Sequence, residues 1–228
     1  MRNMIRAVLF DADNTFYDSR ESARRADLAA MKYLSKLCGA DQQKLFKEWM
    51  LIVKGVKKSK SPEVRHRKYS YSLLLKEHGA DEKISEEMYE IFFENFLRRI
   101  KLFRNVAKTL GELKEMGLTL VIVSEDFREQ LEKKMKSLGI ENFFDLVVTC
   151  DDVGVMKPDK KYYDVVRSSL KIPFEDILAV GDSFEKDLEM PKKLKMKTVL
   201  VFGKDGRSGF SINDFGKIVS IVKSLMST

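Results

Sequence analysis

Five short stretches of the chain are apolar at nearly every position: Ile5 to Phe10, Leu118 to Val123, Phe143 to Val148, Asp176 to Val180 and Lys197 to Phe202. Such continuous runs, rather than alternating ones, are what strands buried on both faces require. Between them the period changes. Phe127, Leu131, Met135 and Leu138 recur at helical spacing and stop at Gly139, and Tyr162, Val165, Val166 and Leu170 do the same ahead of Pro173. Strand and helix in alternation predict an α/β core, a Rossmann-like parallel sheet with helices on both faces.

Residues 18–100 break the alternation. They hold no comparable strand run and read as four helices. Asp41 is placed to cap one that carries Leu45, Trp49 and Val53; Ser61 and Pro62 fit the N-cap and first position of another that reaches Leu74 and Leu75; Asp81 precedes Ile84, Met88, Ile91 and Phe92. The expected organisation is a catalytic core built from residues 1–17 and 101–228, with an all-helical cap domain, 18–100, inserted after the first strand. An insert entered from that point belongs over the carboxyl ends of the strands, where open parallel sheets take their ligands. The methionine and aromatic residues of the insert read as bundle core.

Composition changes this picture little. A chain of 228 residues with 44% hydrophobic content can bury a core and still supply an accessory domain. The net charge of +7 admits an anionic partner, but 34% of residues are charged and the two signs are mixed throughout. The densest basic run, "KGVKKSKSPEVRHRK" at 54–68, holds seven Lys or Arg with His66 and no interleaved aromatic residues. It reads first as solvated cap surface, then as a field that steers anionic substrate, and last as a nucleic-acid surface. Cys38 and Cys150 form no C-x-x-C pair, which suggests neither a zinc site nor a disulfide framework and fits a reducing cytoplasm. No apolar run approaches the roughly 18 residues that span a bilayer, and Arg6 interrupts what would be a signal peptide's apolar segment. A cytoplasmic protein with no membrane partner is expected, and the sequence leaves its oligomeric state open, a monomer being compatible with it.

The candidate chemistry begins in "AVLFDADNTFYDS", residues 7–19. Asp11 ends the first strand and Asp13 lies in the turn beyond. Two carboxylates at the ligand edge of a sheet repel unless a positive group joins them, and a hydrated magnesium ion, a hard cation that takes oxygen ligands, is the natural one. Other strand ends supply partners. "VIVSEDF" closes the second strand with Ser124, "GVMKPDKKYY" sets Lys157 before Pro158 at an expected helix start, and "AVGDSFEKDLEMP" closes the fourth strand with Asp182, followed by Asp187. Hydroxyl, ammonium and backbone N–H groups so placed suit a phosphate.

These motifs, in this order, resemble those of the haloacid dehalogenase-like superfamily of hydrolases: "DADNT" the first, Ser124 the second, Lys157 with Pro158 the third and "GDSFEKD" the fourth. The resemblance covers nearly the whole chain, including the helical cap between the first and second motifs. It implies a magnesium-dependent phosphatase of small phosphomonoesters, of the phosphoglycolate, sugar or triose phosphate, or nucleotide class. Asp11 would attack phosphorus and form an aspartyl-phosphate. Asp13, starting protonated because a neighbouring anion and partial burial raise its pKa, would protonate the leaving oxygen and then activate water. Asp11, the main-chain carbonyl of Asp13, and Asp182 would hold magnesium, with Asp187 supporting its waters. Ser124 and Lys157 would hold the equatorial phosphate oxygens.

Some positions depart from the family pattern. Glu125 and Asp126 stand where relatives have Asn-Gly, and Met190 and Pro191 where they have Gly-Ala. Asp126 with Glu129 has capping-box spacing for the next helix; Glu125 either repels a phosphate or meets a cationic substrate group. Pro191 fits a first helical position, and Met190 stands to crowd the floor of the site. Gly203, Gly206 and Gly209 match no phosphate-binding motif and read as a flexible loop. Two other activities use the same scaffold. A phosphomutase would retain Asp13, whereas a 2-haloacid dehalogenase would lack an acid/base carboxylate at that position.

Overall fold

The protein is described by a computed structural model covering residues 4–227; residues 1–3 and Thr228 of the expected core lie outside the described residues. Six parallel strands form one sheet in the order β3-β2-β1-β4-β5-β6. They are β1 (Ala7–Phe10), β2 (Thr119–Val123), β3 (Leu146–Val148), β4 (Ile177–Gly181), β5 (Lys197–Val201) and β6 (Phe210–Ile212). Every residue of β1 and β4 is buried, as continuous apolar runs demand of the central strands of a parallel sheet.

The helices, in chain order, are α1 (Ser19–Cys38), α2 (Gln42–Val56), α3 (Pro62–Arg65), α4 (Arg67–Glu77), α5 (Ile84–Leu97), α6 (Val106–Glu115), α7 (Arg128–Leu138), α8 (Cys150–Val153), α9 (Lys161–Leu170), α10 (Glu189–Lys193) and α11 (Lys217–Met226). The chain divides into two compact units: Ser19–Ile100, and the rest, namely the chain up to Asp18 together with that from Lys101 onward. In the second of these the chain leaves and returns at neighbouring points, since the Phe103 N–H donates to the Phe16 carbonyl at 2.8 Å.

The Ser19–Ile100 unit is all helical. Its core contains Met31, Leu34, Leu45, Trp49, Tyr71, Leu74, Met88 and Phe92, the apolar positions that helical periodicity picks out. Inside it Arg67 makes a two-pronged ion pair with Asp27 (2.8 and 2.7 Å), and its guanidinium lies 4.0 Å from the centre of the Phe92 ring. Arg67 belongs to the basic run, so that run is not wholly solvated: Lys54, Lys58 and Lys60 are exposed, while Lys68 pairs with Glu86 at 2.8 Å.

Three sequence expectations need correction here. The unit holds five helices rather than four. Ser61 and Pro62 do cap and open a helix, but it stops at Arg65, and the neutral Nδ1 of His66 accepts from the Lys68 N–H at 3.1 Å to start α4 afresh. The expected strand over 143–148 begins only at Leu146, because the carboxylate of Asp145 is used as an acceptor for the Leu120 N–H at 2.8 Å. The glycine segment leads into an additional strand, β6, as the Gly209 N–H donates to Thr198 Oγ1 at 2.9 Å. Only three residues long with a serine at its middle, β6 carries no apolar run to read.

Candidate active site

β1 and β4 are neighbours, with β2 and β3 lying beyond β1 and β5 and β6 beyond β4. The reversal of strand order between them makes a topological switch point, the crevice where open α/β sheets take ligands. Asp11 follows β1 directly, and its N–H donates to the Val180 carbonyl of β4 at 2.9 Å. Asp182 follows β4 directly. Asp187 returns to the same point through a π-helical turn, Phe184–Leu188, and its Oδ2 accepts from the Ser183 N–H at 3.1 Å. π-turns of this kind recur at functional sites. One carboxylate oxygen from each of Asp11, Asp182 and Asp187 lies within 4.8 Å of the other two.

Pro191 stands third in α10 rather than first. Having no N–H, it interrupts the regular hydrogen-bond ladder beside the π-turn. Met190 packs against the apolar cluster that contains Phe184, Leu188 and Met196, which gives its bulk a place other than the expected floor of the site.

Lys157 stands among these carboxylates. Its ammonium donates to Asp11 Oδ1 (2.5 Å), to Asp187 Oδ1 (2.8 Å) and to the Val123 carbonyl at the end of β2 (3.1 Å). Burial alone would depress that ammonium, but Asp11 and Asp187 outweigh it and hold its pKa well above the ordinary range. Burial, reinforced by the Asp187 carboxylate, pushes the Asp11 carboxyl well up against the pull of Lys157. Three carboxylates facing one ammonium are short of two positive charges, and all the donors are hard oxygens. A single divalent cation satisfies both conditions, so the residues present fit a metal ion. Thr15 Oγ1 donates to Asp11 Oδ2 at 3.0 Å and fixes the carboxylate's rotation. Lys157 and Pro158 lie ahead of α9, which starts at Lys161 rather than at the expected Pro158.

Asp13 belongs to a separate group. Its Oδ1 accepts from Lys134 Nζ at 3.1 Å and from the Tyr17 hydroxyl, and Lys134 also donates to Asp126 Oδ2 at 2.8 Å. Burial would raise the Asp13 carboxyl, but Lys134 and the Tyr17 hydroxyl outweigh it and hold the group below its usual value. This corrects the expectation that Asp13 starts protonated: the cation beside it was not foreseen. The capping box is corrected too. The N-cap of α7 is Phe127, with no side-chain cap bond, and the Asp126 carboxylate is spent on Lys134.

Ser124 follows β2 directly and is buried; its Oγ accepts from the Asp126 N–H at 3.1 Å. It thus adjoins the Asp13 group, whereas Lys157 joins the Asp11 group. Glu125 forms an ion pair of 2.6 Å with Lys186, which neutralises the carboxylate that least suited a phosphate. Lys134, Tyr17 and Thr15 were not singled out in the sequence. Lys134 left a legible sign, since it occupies a buried position of the stripe Leu131, Met135, Leu138 where an apolar residue belongs.

Residues 5–195 match the pattern of a family of hydrolases described as haloacid dehalogenase-like hydrolase. The chain is similar to the glyceraldehyde 3-phosphate phosphatase of Methanocaldococcus jannaschii, with 30% identity over 97% of this chain and 99% of that one. It is similar also to the human N-acylneuraminate-9-phosphatase, at 26% identity over 89% of this chain and 84% of the relative. Among solved structures, a HAD phosphatase from Thermococcus onnurineus superposes with a TM-score of 0.77 at 23% identity, over 96% of this chain and 98% of that one.

Proposed function

Because this chain belongs to the haloacid dehalogenase-like hydrolase family, we propose that it is a magnesium-dependent phosphatase of small phosphomonoesters that works through an aspartyl-phosphate on Asp11. The observation that carries this reading is the separation of two neighbouring carboxylates into different surroundings. Asp11 lies in a trio short of positive charge, and Asp13, two residues on, is held apart by its own donors. Carboxylates with divergent environments are how a site divides nucleophile from acid/base.

When bound between Asp11, Asp182 and Asp187, magnesium would offset the repulsion between an anionic nucleophile and an anionic phosphate. A carboxylate oxygen of Asp11 attacks phosphorus as the bond from phosphorus to the leaving oxygen breaks. The approaching phosphate dianion raises the Asp13 carboxyl and draws a proton onto it, and Asp13 passes that proton to the leaving oxygen. Asp13, again a carboxylate, then takes a proton from water as the water oxygen bonds phosphorus and the bond from phosphorus to the Asp11 oxygen breaks, which frees phosphate and restores the Asp11 carboxylate. Lys157 and Ser124 hold the equatorial oxygens, on which charge gathers.

The relatives named for glyceraldehyde 3-phosphate and N-acylneuraminate 9-phosphate make phosphorylated sugars and trioses the first substrates to try. The test is phosphate release from a panel of sugar, triose, glycolate and nucleotide monophosphates with magnesium, with EDTA and with magnesium restored. Turnover of at least one ester, lost with EDTA and regained with magnesium, is expected; no release from any ester would overturn the reading.

A further inference from the structure

A lysine on the inward face of a core helix needs a reason. Lys134 stands beside Met135 and one turn from Leu131, and is itself only 5% exposed. Methionine or leucine there would complete the apolar stripe without the cost of burying an ammonium. Lys134 instead spans two carboxylates, Asp126 Oδ2 at 2.8 Å and Asp13 Oδ1 at 3.1 Å, and its ammonium lies 5.9 Å from the centre of the Tyr17 ring.

The surroundings hold this lysine still. The backbone of Asp126 is tied at both ends, its N–H donating to Ser124 Oγ at 3.1 Å and its carbonyl accepting from the Cys150 N–H at 3.2 Å. The segment after β2 thus fixes Asp126, Asp126 fixes Lys134, and Lys134 reaches Asp13. Both donors to Asp13, Lys134 and the Tyr17 hydroxyl, meet the same oxygen, Oδ1. Meanwhile 40% of the Asp13 side chain remains exposed, and neither of these donors occupies Oδ2.

We infer that Lys134, anchored by Asp126, is a positioning residue that sets the rotation of Asp13 so that Oδ2 carries the proton to the leaving oxygen and from the attacking water. This rests on the phosphatase reading above. Lys134, buried between Asp126 and Asp13, acts through Asp13, so its loss should appear in proton transfer and spare substrate binding.

The experiment compares Lys134→Met and Lys134→Arg with the wild-type protein on two esters: p-nitrophenyl phosphate, whose leaving group needs no proton, and the sugar or triose phosphate of highest kcat in the panel. Single-turnover release of the leaving group is followed, so that the later attack of water does not mask the first step. For Lys134→Met, alcohol release from the alkyl ester is expected to fall about 100-fold with KM within about threefold, and the burst of p-nitrophenolate to stay within about threefold. Lys134→Arg, which can span the same carboxylates, is expected to recover most of the loss. Circular dichroism reports folding. If Lys134→Met does not fold, the double variant Lys134→Met/Asp126→Asn, which removes both buried charges together, is measured with the same expectation. Equal losses on the two esters, a loss confined to KM, or no loss at all would overturn the positioning role while leaving the phosphatase reading intact. A wild-type protein that releases phosphate from neither ester would overturn the reading and this role with it.

Discussion

A β-carbon at position 181 would lie 2.4 Å from Cβ of Asp187 and 2.9 Å from its Oδ2. Gly181 ends β4, and its missing side chain is the space into which the π-turn brings Asp187 back beside Asp11 and Asp182. Contacts that short require atoms to move. Gly181→Ala is therefore expected to leave the sheet folded, at a cost of about 1–3 kcal/mol, and to push Asp187 out of the carboxylate trio. Its half-saturating magnesium concentration for phosphate release should rise at least about tenfold. Unchanged magnesium dependence would show that Asp187 has no part in holding the ion.

The Glu125–Lys186 pair joins the residue after Ser124 to the residue before Asp187. Lys186 cancels the charge that Glu125 would otherwise present near a bound phosphate. Lys186→Met is expected to raise KM for phosphorylated substrates by severalfold, the scale of a partly screened charge contact, and Glu125→Gln added to it should restore KM. Glu125→Gln alone should change KM less than threefold. A double variant no better than Lys186→Met would refute charge cancellation as the purpose of the pair.

His66 predicts how the helical unit responds to acid. Burial first, with Lys68 and Arg67 adding to it and Glu86 opposing, brings its pKa from 6.5 down to about 4. The unfolded chain therefore binds this proton first as pH falls. The stabilisation is complete above about pH 6.5, is lost progressively toward about pH 4, and changes no further below that, amounting to about 1–3 kcal/mol. His66→Asn keeps a capping acceptor for α4 without an ionisable ring. The thermal midpoint of the wild type should fall between pH 7 and pH 4.5 by several degrees more than that of the variant. Parallel curves would rule out His66 as the source.

The central strands and the Asp11 trio were legible because each depends on a local pattern: an apolar run of strand length followed by a carboxylate. β6 and the His66 break were not, since three residues make no period and a histidine cap has no special spacing. The protonation of Asp13 is hidden from the sequence for a different reason. Its carboxyl answers to Lys134, which is 121 residues away in sequence, and only the packing of α7 brings them together. The role of Asp126 is hidden on the same account, because capping-box spacing is local while its actual partner lies eight residues on, across the helix start. Lys134 could have been noticed, as a charge in an apolar stripe, but the stripe does not say what the charge meets.

Asp11 carries the proposed chemistry most directly. Asp11→Asn keeps the shape of the side chain and its bond from Thr15, and removes the anion that attacks phosphorus. With folding verified by circular dichroism, phosphate release with magnesium from the best ester of the panel is compared between the variant and the wild type. A fall of at least about a thousandfold is predicted, the scale of losing a group that forms the covalent intermediate. Release within a few fold of the wild type would contradict an aspartyl-phosphate on Asp11 and the mechanism built upon it.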